Sequence, residues 1–137
     1  MKIGKNAIAG IGAGILGVSL LAGPAFAEGN FTSSISGATP GFSSRTWTDN
    51  NNDAASTVVG FSGCTVRNSA TGATVSLSSV RINLERSGVQ VNNQAINCGS
   101  VNFGRVNAGV YSFKLTSING ATDGRYKLSV GTVGVSY

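Results

Sequence analysis

The chain has 137 residues, with 10 basic and 5 acidic side chains, two cysteines and no histidine. That length suits one small unit, and the mild positive charge falls well short of a nucleic-acid-binding composition. The absence of histidine excludes Ser-His-Asp and Cys-His catalysis and any histidine-ligated metal.

Lys2 and Lys5 form a positive start, followed by an uncharged run from Asn6 to Ala27 with its apolar centre between Ala7 and Ala22. The run ends in Pro24-Ala25-Phe26-Ala27, an A-x-A cleavage pattern, so residues 1–27 read as a secretory signal peptide removed after Ala27. An uncleaved membrane anchor fits worse. The run is interrupted by Gly10, Gly12, Gly14 and Gly17 and has no basic flank on its far side. Residues 28–137 then form a single domain, whose 8 basic and 5 acidic side chains leave a net charge of +3. The basic residues are scattered, as solubility alone requires, although the sign also favours an anionic surface such as a cell wall.

In chain order, Phe31, Ser33 and Ile35 have strand spacing before breaks at Ser36-Gly37 and Pro40-Gly41. Arg45-Thr46-Trp47-Thr48 reads as a short strand placing Arg45, Trp47 and Asp49 on one side, followed by the polar loop Asp49–Asp53. Ser56–Phe61 and Cys64–Arg67 are β-rich pieces separated by Gly60 and Gly63, a pattern of bulge or bend. After a turn at Asn68–Gly72 and a strand at Ala73–Leu77 comes the clearest local signal. Val80–Arg86 and Val89–Asn92 flank Ser87-Gly88, a two-residue connection of the primed hairpin kind. Its expected register sets Arg86 opposite Val89, Glu85 opposite Gln90 and Leu84 opposite Val91, with Ile82, Leu84, Val89 and Val91 sharing a face.

Val101 and Phe103 suggest a short strand; Tyr111, Phe113 and Leu115 give the strongest aromatic one. Tyr126, Leu128 and Val130, then Val133, Val135 and Tyr137, close the chain at the same period. Eight or nine short strands without helical periodicity predict an all-β fold, an antiparallel β-sandwich of Ig-like general architecture, with a small closed β-barrel as the alternative. Asn107-Ala108-Gly109-Val110-Tyr111 resembles the loop-to-strand corner with a Tyr found in immunoglobulin-like domains. Export to an oxidising compartment predicts one disulfide, Cys64 with Cys98.

Chemistry-bearing groups are sparse. Of the acidic residues Glu28, Asp49, Asp53, Glu85 and Asp123, only Asp49 and Asp53 are close in sequence, and one loop cannot oppose two carboxylates across a cleft. No enzyme and no cofactor are expected. Asp49, Asn51 and Asp53 have the i, i+2, i+4 spacing that opens calcium loops. The EF-hand then needs Gly and an acid where Ala54 and Gly60 stand, and a solvated Asn/Asp turn explains the same letters. Arg45, Trp47 and Asp49 are the ligand-binding candidates, with Trp47 as an aromatic platform; a lone Trp in a small sandwich is otherwise a core residue.

The expectation is a secreted, non-enzymatic protein with an extracellular binding or surface-associated role, its partner a polysaccharide or an anionic envelope polymer. The alternative is a secreted inhibitor or antagonistic toxin acting on another protein through Gly37–Asp53 and Asn119–Gly124. No nucleic acid partner and no transmembrane span after cleavage are expected. No lipobox cysteine follows the leader, and no sorting tail follows Tyr137, so the protein is expected to be released or held non-covalently. Phe31–Ile35 and Thr132–Tyr137 lack charge, so they either pair within the domain or add to the sheet of a second copy, giving an oligomer by strand addition.

Overall fold

Apolar side chains recur at period two between Gly, Asn and Ser turns, so each strand has one face to bury, and two sheets stacked face to face bury it. The computed structural model describes residues 28–137, which form nine strands and no helix. The expected leader, residues 1–27, lies outside the described residues. One sheet has the order β1-β9-β3-β4, with β7 also paired to β3; the other has the order β2-β8-β5-β6. The first contains β1 (Asn30–Ala38), β3 (Val58–Asn68), β4 (Thr74–Val75), β7 (Ser100–Asn102) and β9 (Tyr126–Ser136). The second contains β2 (Trp47–Asp49), β5 (Val80–Arg86), β6 (Val89–Ala95) and β8 (Gly109–Ile118). The two sheets remain separate, a sandwich and not a closed barrel. Val59, Phe61, Val133 and Val135 of one sheet and Ile82, Leu84, Phe113 and Leu115 of the other form the centre of the core.

Two pairs of expected strands are each one continuous strand. On β3 the buried positions run Val59, Phe61, then Val66; on β9 they run Val135, Val133, then Val130 and Leu128. Both strands therefore change the parity of their inward residues between Ser62↔Thr132 and Cys64↔Val130, and the pairing continues across the change. Gly63 sits there at φ 65°, with Gly131 directly beside it. Paired glycines turn two neighbouring strands over together, so the bend is absorbed without breaking the ladder.

The β5–β6 hairpin closes through Ser87 (φ 50°) and Gly88 (φ 80°), as the primed turn requires. Arg86↔Val89 and Glu85↔Gln90 pair as expected, but a bulge then sets Leu84 opposite Asn92. The inserted residue is Val91. It leaves the buried row, and Val89 pairs at the hairpin tip beyond the last buried residue, so both valines are exposed. The expected shared face is thus corrected to Ile82 and Leu84 alone.

Cys64 and Cys98 form the disulfide, with Cα atoms 5.9 Å apart. Cys98 follows β6 in the turn that leads to β7, so the bond ties the two sheets where the chain passes between them. The closing segment Thr132–Tyr137 belongs largely to β9, which is paired on both sides, by β1 and by β3. Phe31–Ile35 pairs within the domain through its β9 side, and β1 is an edge strand.

Candidate functional site

The end of the sandwich that carries the β5–β6 turn also carries the loops after β2 and β7. This follows from the pairings Arg86↔Tyr111, Asp49↔Gly109 and Val58↔Asn102. A groove of about 240 Å³ opens there. Its floor is Leu84 and Tyr111, both buried, and its sides include Val91, Phe103 and Val106. Two guanidinium groups, those of Arg86 and Arg105, flank it.

Each arginine is positioned by a specific local feature. Arg105 Nε donates to Asn51 Oδ1 at 2.6 Å and its Nη2 donates to the Asn51 carbonyl at 3.2 Å. The Arg86 side chain lies across Gly109: a Cβ there would stand 2.5 Å from Nε and 3.0 Å from Cγ. Among the described residues the Arg86 guanidinium makes no hydrogen bond, and the ion pair formed is Arg125–Asp123, elsewhere on the surface. Tyr111 Oη donates to the Asn107 carbonyl, which is the tyrosine corner that the Asn107–Tyr111 segment resembles. Burial pushes the Tyr111 phenol above its ordinary pKa; Arg86 opposes the shift and Asp49 adds to it.

The apolar rim is as distinctive as the charge. The exposed large hydrophobic residues among the described ones are Val89, Val91 and Val110. All three lie at this end: Val91 lines the groove, Val89 pairs with Arg86, and the Val110 carbonyl accepts from Ser87 N–H at 2.8 Å.

The structure places the residues expected from sequence differently. The strand is Trp47–Asp49, not Arg45–Thr48: Trp47 and Asp49 share its inward side, whereas Arg45 precedes it and does not. Trp47 is 3% exposed and packs against Phe31, Tyr111 and Tyr137 at ring-centroid distances of 5.9, 6.2 and 6.0 Å. Its ring is core and offers no platform to a ligand. Arg45 remains exposed, with Cζ 4.5 Å from the Phe31 ring centroid.

Asp49 is buried and serves its own loop. Its Oδ1 accepts from Asn51 N–H at 2.8 Å and its Oδ2 from the Thr57 hydroxyl at 3.2 Å. Asp53 Oδ1 accepts from Ala55 N–H at 2.8 Å, and Asn51 Oδ1 is taken by Arg105. The three side chains of the calcium spacing thus face N–H and O–H donors, one of them cationic, and do not converge as a cation site. Among the described residues no group of three or more Cys, Asp or Glu side chains is placed to hold a metal.

Glu28 is the residue whose part linear reading missed. Its Oε2 accepts from Asn50 N–H at 2.7 Å and its Oε1 from Asn52 N–H, so a carboxylate from outside the loop organises it. Those hydrogen bonds hold the Glu28 carboxyl below its ordinary pKa of 4.5.

No protein-family model matches this chain, and no curated protein matches it.

Proposed function

We propose that this protein is a secreted, non-enzymatic binding protein that holds an anionic envelope polymer in the groove between Arg86 and Arg105. The observation that carries the reading is the Arg86 guanidinium, laid over Gly109 without a partner of its own among the described residues, beside the anchored Arg105. A guanidinium recognises phosphate or carboxylate oxygens in a planar, two-pronged geometry. The rim valines and Phe103 supply apolar contact for the carbon skeleton between charges. The disulfide, and the lack among the described residues of any helix long and apolar enough to cross a membrane, are compatible with an extracellular setting.

Calorimetric titration with poly(glycerol phosphate), using dextran as the neutral control, tests this. Binding that weakens with salt and disappears in Arg86→Gln and Arg105→Gln is the expected result. Equal retention of dextran, or unchanged affinity in both variants, refutes it.

The inhibitor reading has one observation in its favour. Thr39 lies within contact distance of a side chain built at Gly124, so Gly37–Ser44 and Asn119–Gly124 meet at the opposite end. Asn50–Asp53, the remainder of the expected protein-binding surface, belongs to the groove end. Stoichiometric capture of one secreted protein, lost on changing residues 39 or 122, would favour it.

A further inference from the structure

We propose that Glu28 is a positioning residue for the groove, holding the loop after β2 in the one shape that presents Asn51 to Arg105. The proposal rests on the anionic-ligand reading of the groove and adds what regulates it.

The connection runs from Glu28 through Asn50, Asn51 and Asn52 to Arg105. Glu28 accepts from Asn50 and Asn52 on either side of Asn51. Asn51 stands at φ 54°, a left-handed conformation that Asn tolerates when its neighbours fix it. In that conformation its carbonyl and side-chain oxygens both accept from Arg105. Glu28 is itself held in place by its neighbour. Gly29 N–H donates to the Tyr137 carbonyl at 2.8 Å and Tyr137 N–H donates back at 2.9 Å. The Tyr137 ring lies where a side chain at 29 would be, and it stacks on Trp47. The carboxylate therefore extends from an anchored backbone into a loop that has no strand of its own.

The sign of the pH effect follows. An ionised Glu28 accepts two N–H groups; a protonated one loses the charge that makes those bonds strong. Acid thus loosens Asn51 and with it Arg105, so ligand binding falls as pH drops through the folded pKa of Glu28, which lies below 4.5. The other titratable or charged groups around the loop include Asp49, Asp53, Arg105, the Tyr137 phenol beside Gly29 and, with residues 1–27 removed, the α-amino group of Glu28 itself, which stays charged across the acid range. Asp49 and Asp53 hold donors of their own.

The test compares the unaltered protein with Glu28→Gln, Asn51→Gly and the double variant, by titration with poly(glycerol phosphate) from neutral pH to roughly pH 3. The probe stays anionic across that range. Glu28→Gln is expected to bind roughly fivefold more weakly at neutral pH and to lose the acid-dependent decline. Asn51→Gly accepts the positive φ and keeps the carbonyl but removes the oxygen that Arg105 Nε reaches. It is expected to weaken binding similarly, and the double variant no further, because both act through one contact. Additive losses, or an acid decline that survives in Glu28→Gln, overturn the proposal. NMR exchange of the Arg105 Nε–H needs no ligand: protection lost in Glu28→Gln supports the coupling, and unchanged protection overturns it. If the unaltered protein does not bind the probe, the anionic-polymer reading fails, and the Arg105 exchange still decides the coupling.

Discussion

Arg86 pairs with Tyr111 across the β5–β8 ladder, and its side chain reaches along β8 to Gly109, where it occupies the space that any side chain would need. Gly109 has no positive φ, so its backbone accepts alanine. The expected outcome for Gly109→Ala is a displaced guanidinium, with poly(glycerol phosphate) affinity reduced severalfold and thermal stability nearly unchanged. Titration and a melting curve on the same preparation check both halves.

The disulfide spans 34 residues in sequence. Cross-linking a loop of that size stabilises the fold by about 4 kcal/mol on the chain-entropy account, whose mechanism is disputed. That is a large share of a small domain's stability. The Cys64→Ala, Cys98→Ala double variant is therefore expected to unfold at much lower urea concentration, with the midpoint of the transition as the measurement.

Gly63 and Gly134 are both glycines of the β3–β9 ladder, with opposite requirements. Gly63 stands at φ 65°, where an L side chain costs roughly 1–2 kcal/mol, while Gly134 has an ordinary φ and nothing within 4 Å of a built Cβ. Alanine is expected to destabilise at 63 and to be tolerated at 134. Paired urea titrations would separate the two.

Trp47 is buried, and among the described residues its Nε1–H has no acceptor. Truncation to Ala is expected to cost about 3–5 kcal/mol, whereas Phe removes the unpaired donor along with some volume and costs less. Denaturation midpoints rank the two. The native emission maximum is expected to be blue-shifted and shielded from iodide.

Acid acts on stability through two surface carboxylates, one half-buried (Glu28) and one exposed (Asp123). Loop N–H groups, Asn52 foremost, lower the pKa of Glu28, and the Arg125 side chain lowers that of Asp123. A depressed folded value means that the stabilisation is present above the ordinary values of 4.5 and 3.8 and is lost as pH falls through the folded ones. Melting temperature is expected to decline in that acid window, and less steeply in Glu28→Gln and Asp123→Asn.

Much of this architecture is legible residue by residue. Tyr111, Phe113 and Leu115 announce a strand because only period two buries them together, and Ser87-Gly88 announces its turn through the φ values it can reach. Gly63 reads correctly as a bend, but the continuity of β3 and β9 through Gly63 and Gly131 does not show, since a glycine that lets a strand turn over looks in sequence like one that ends it. Val91 misleads differently: a one-residue bulge takes it out of the buried row, and nothing local to β6 encodes it, while Val89 pairs as expected but at the hairpin tip, beyond the last buried residue. Arg86, Arg105 and Gly109 meet only through the pairing of β5 with β8, so scattered arginines in the sequence become neighbours in space. Glu28 could be placed only once Gly29 was known to pair with Tyr137.

In the five-stranded sheet, β1 and β3 are joined through β9, the last strand of the described chain. β4 and β7 pair with β3 directly, but until residues 126–136 have emerged β1 has nothing to join it to them. Such non-local closure is entropically costly and slows folding relative to a fold of local contacts. A nascent chain of this design therefore holds β1 without its sheet partner until its final described strand has been made.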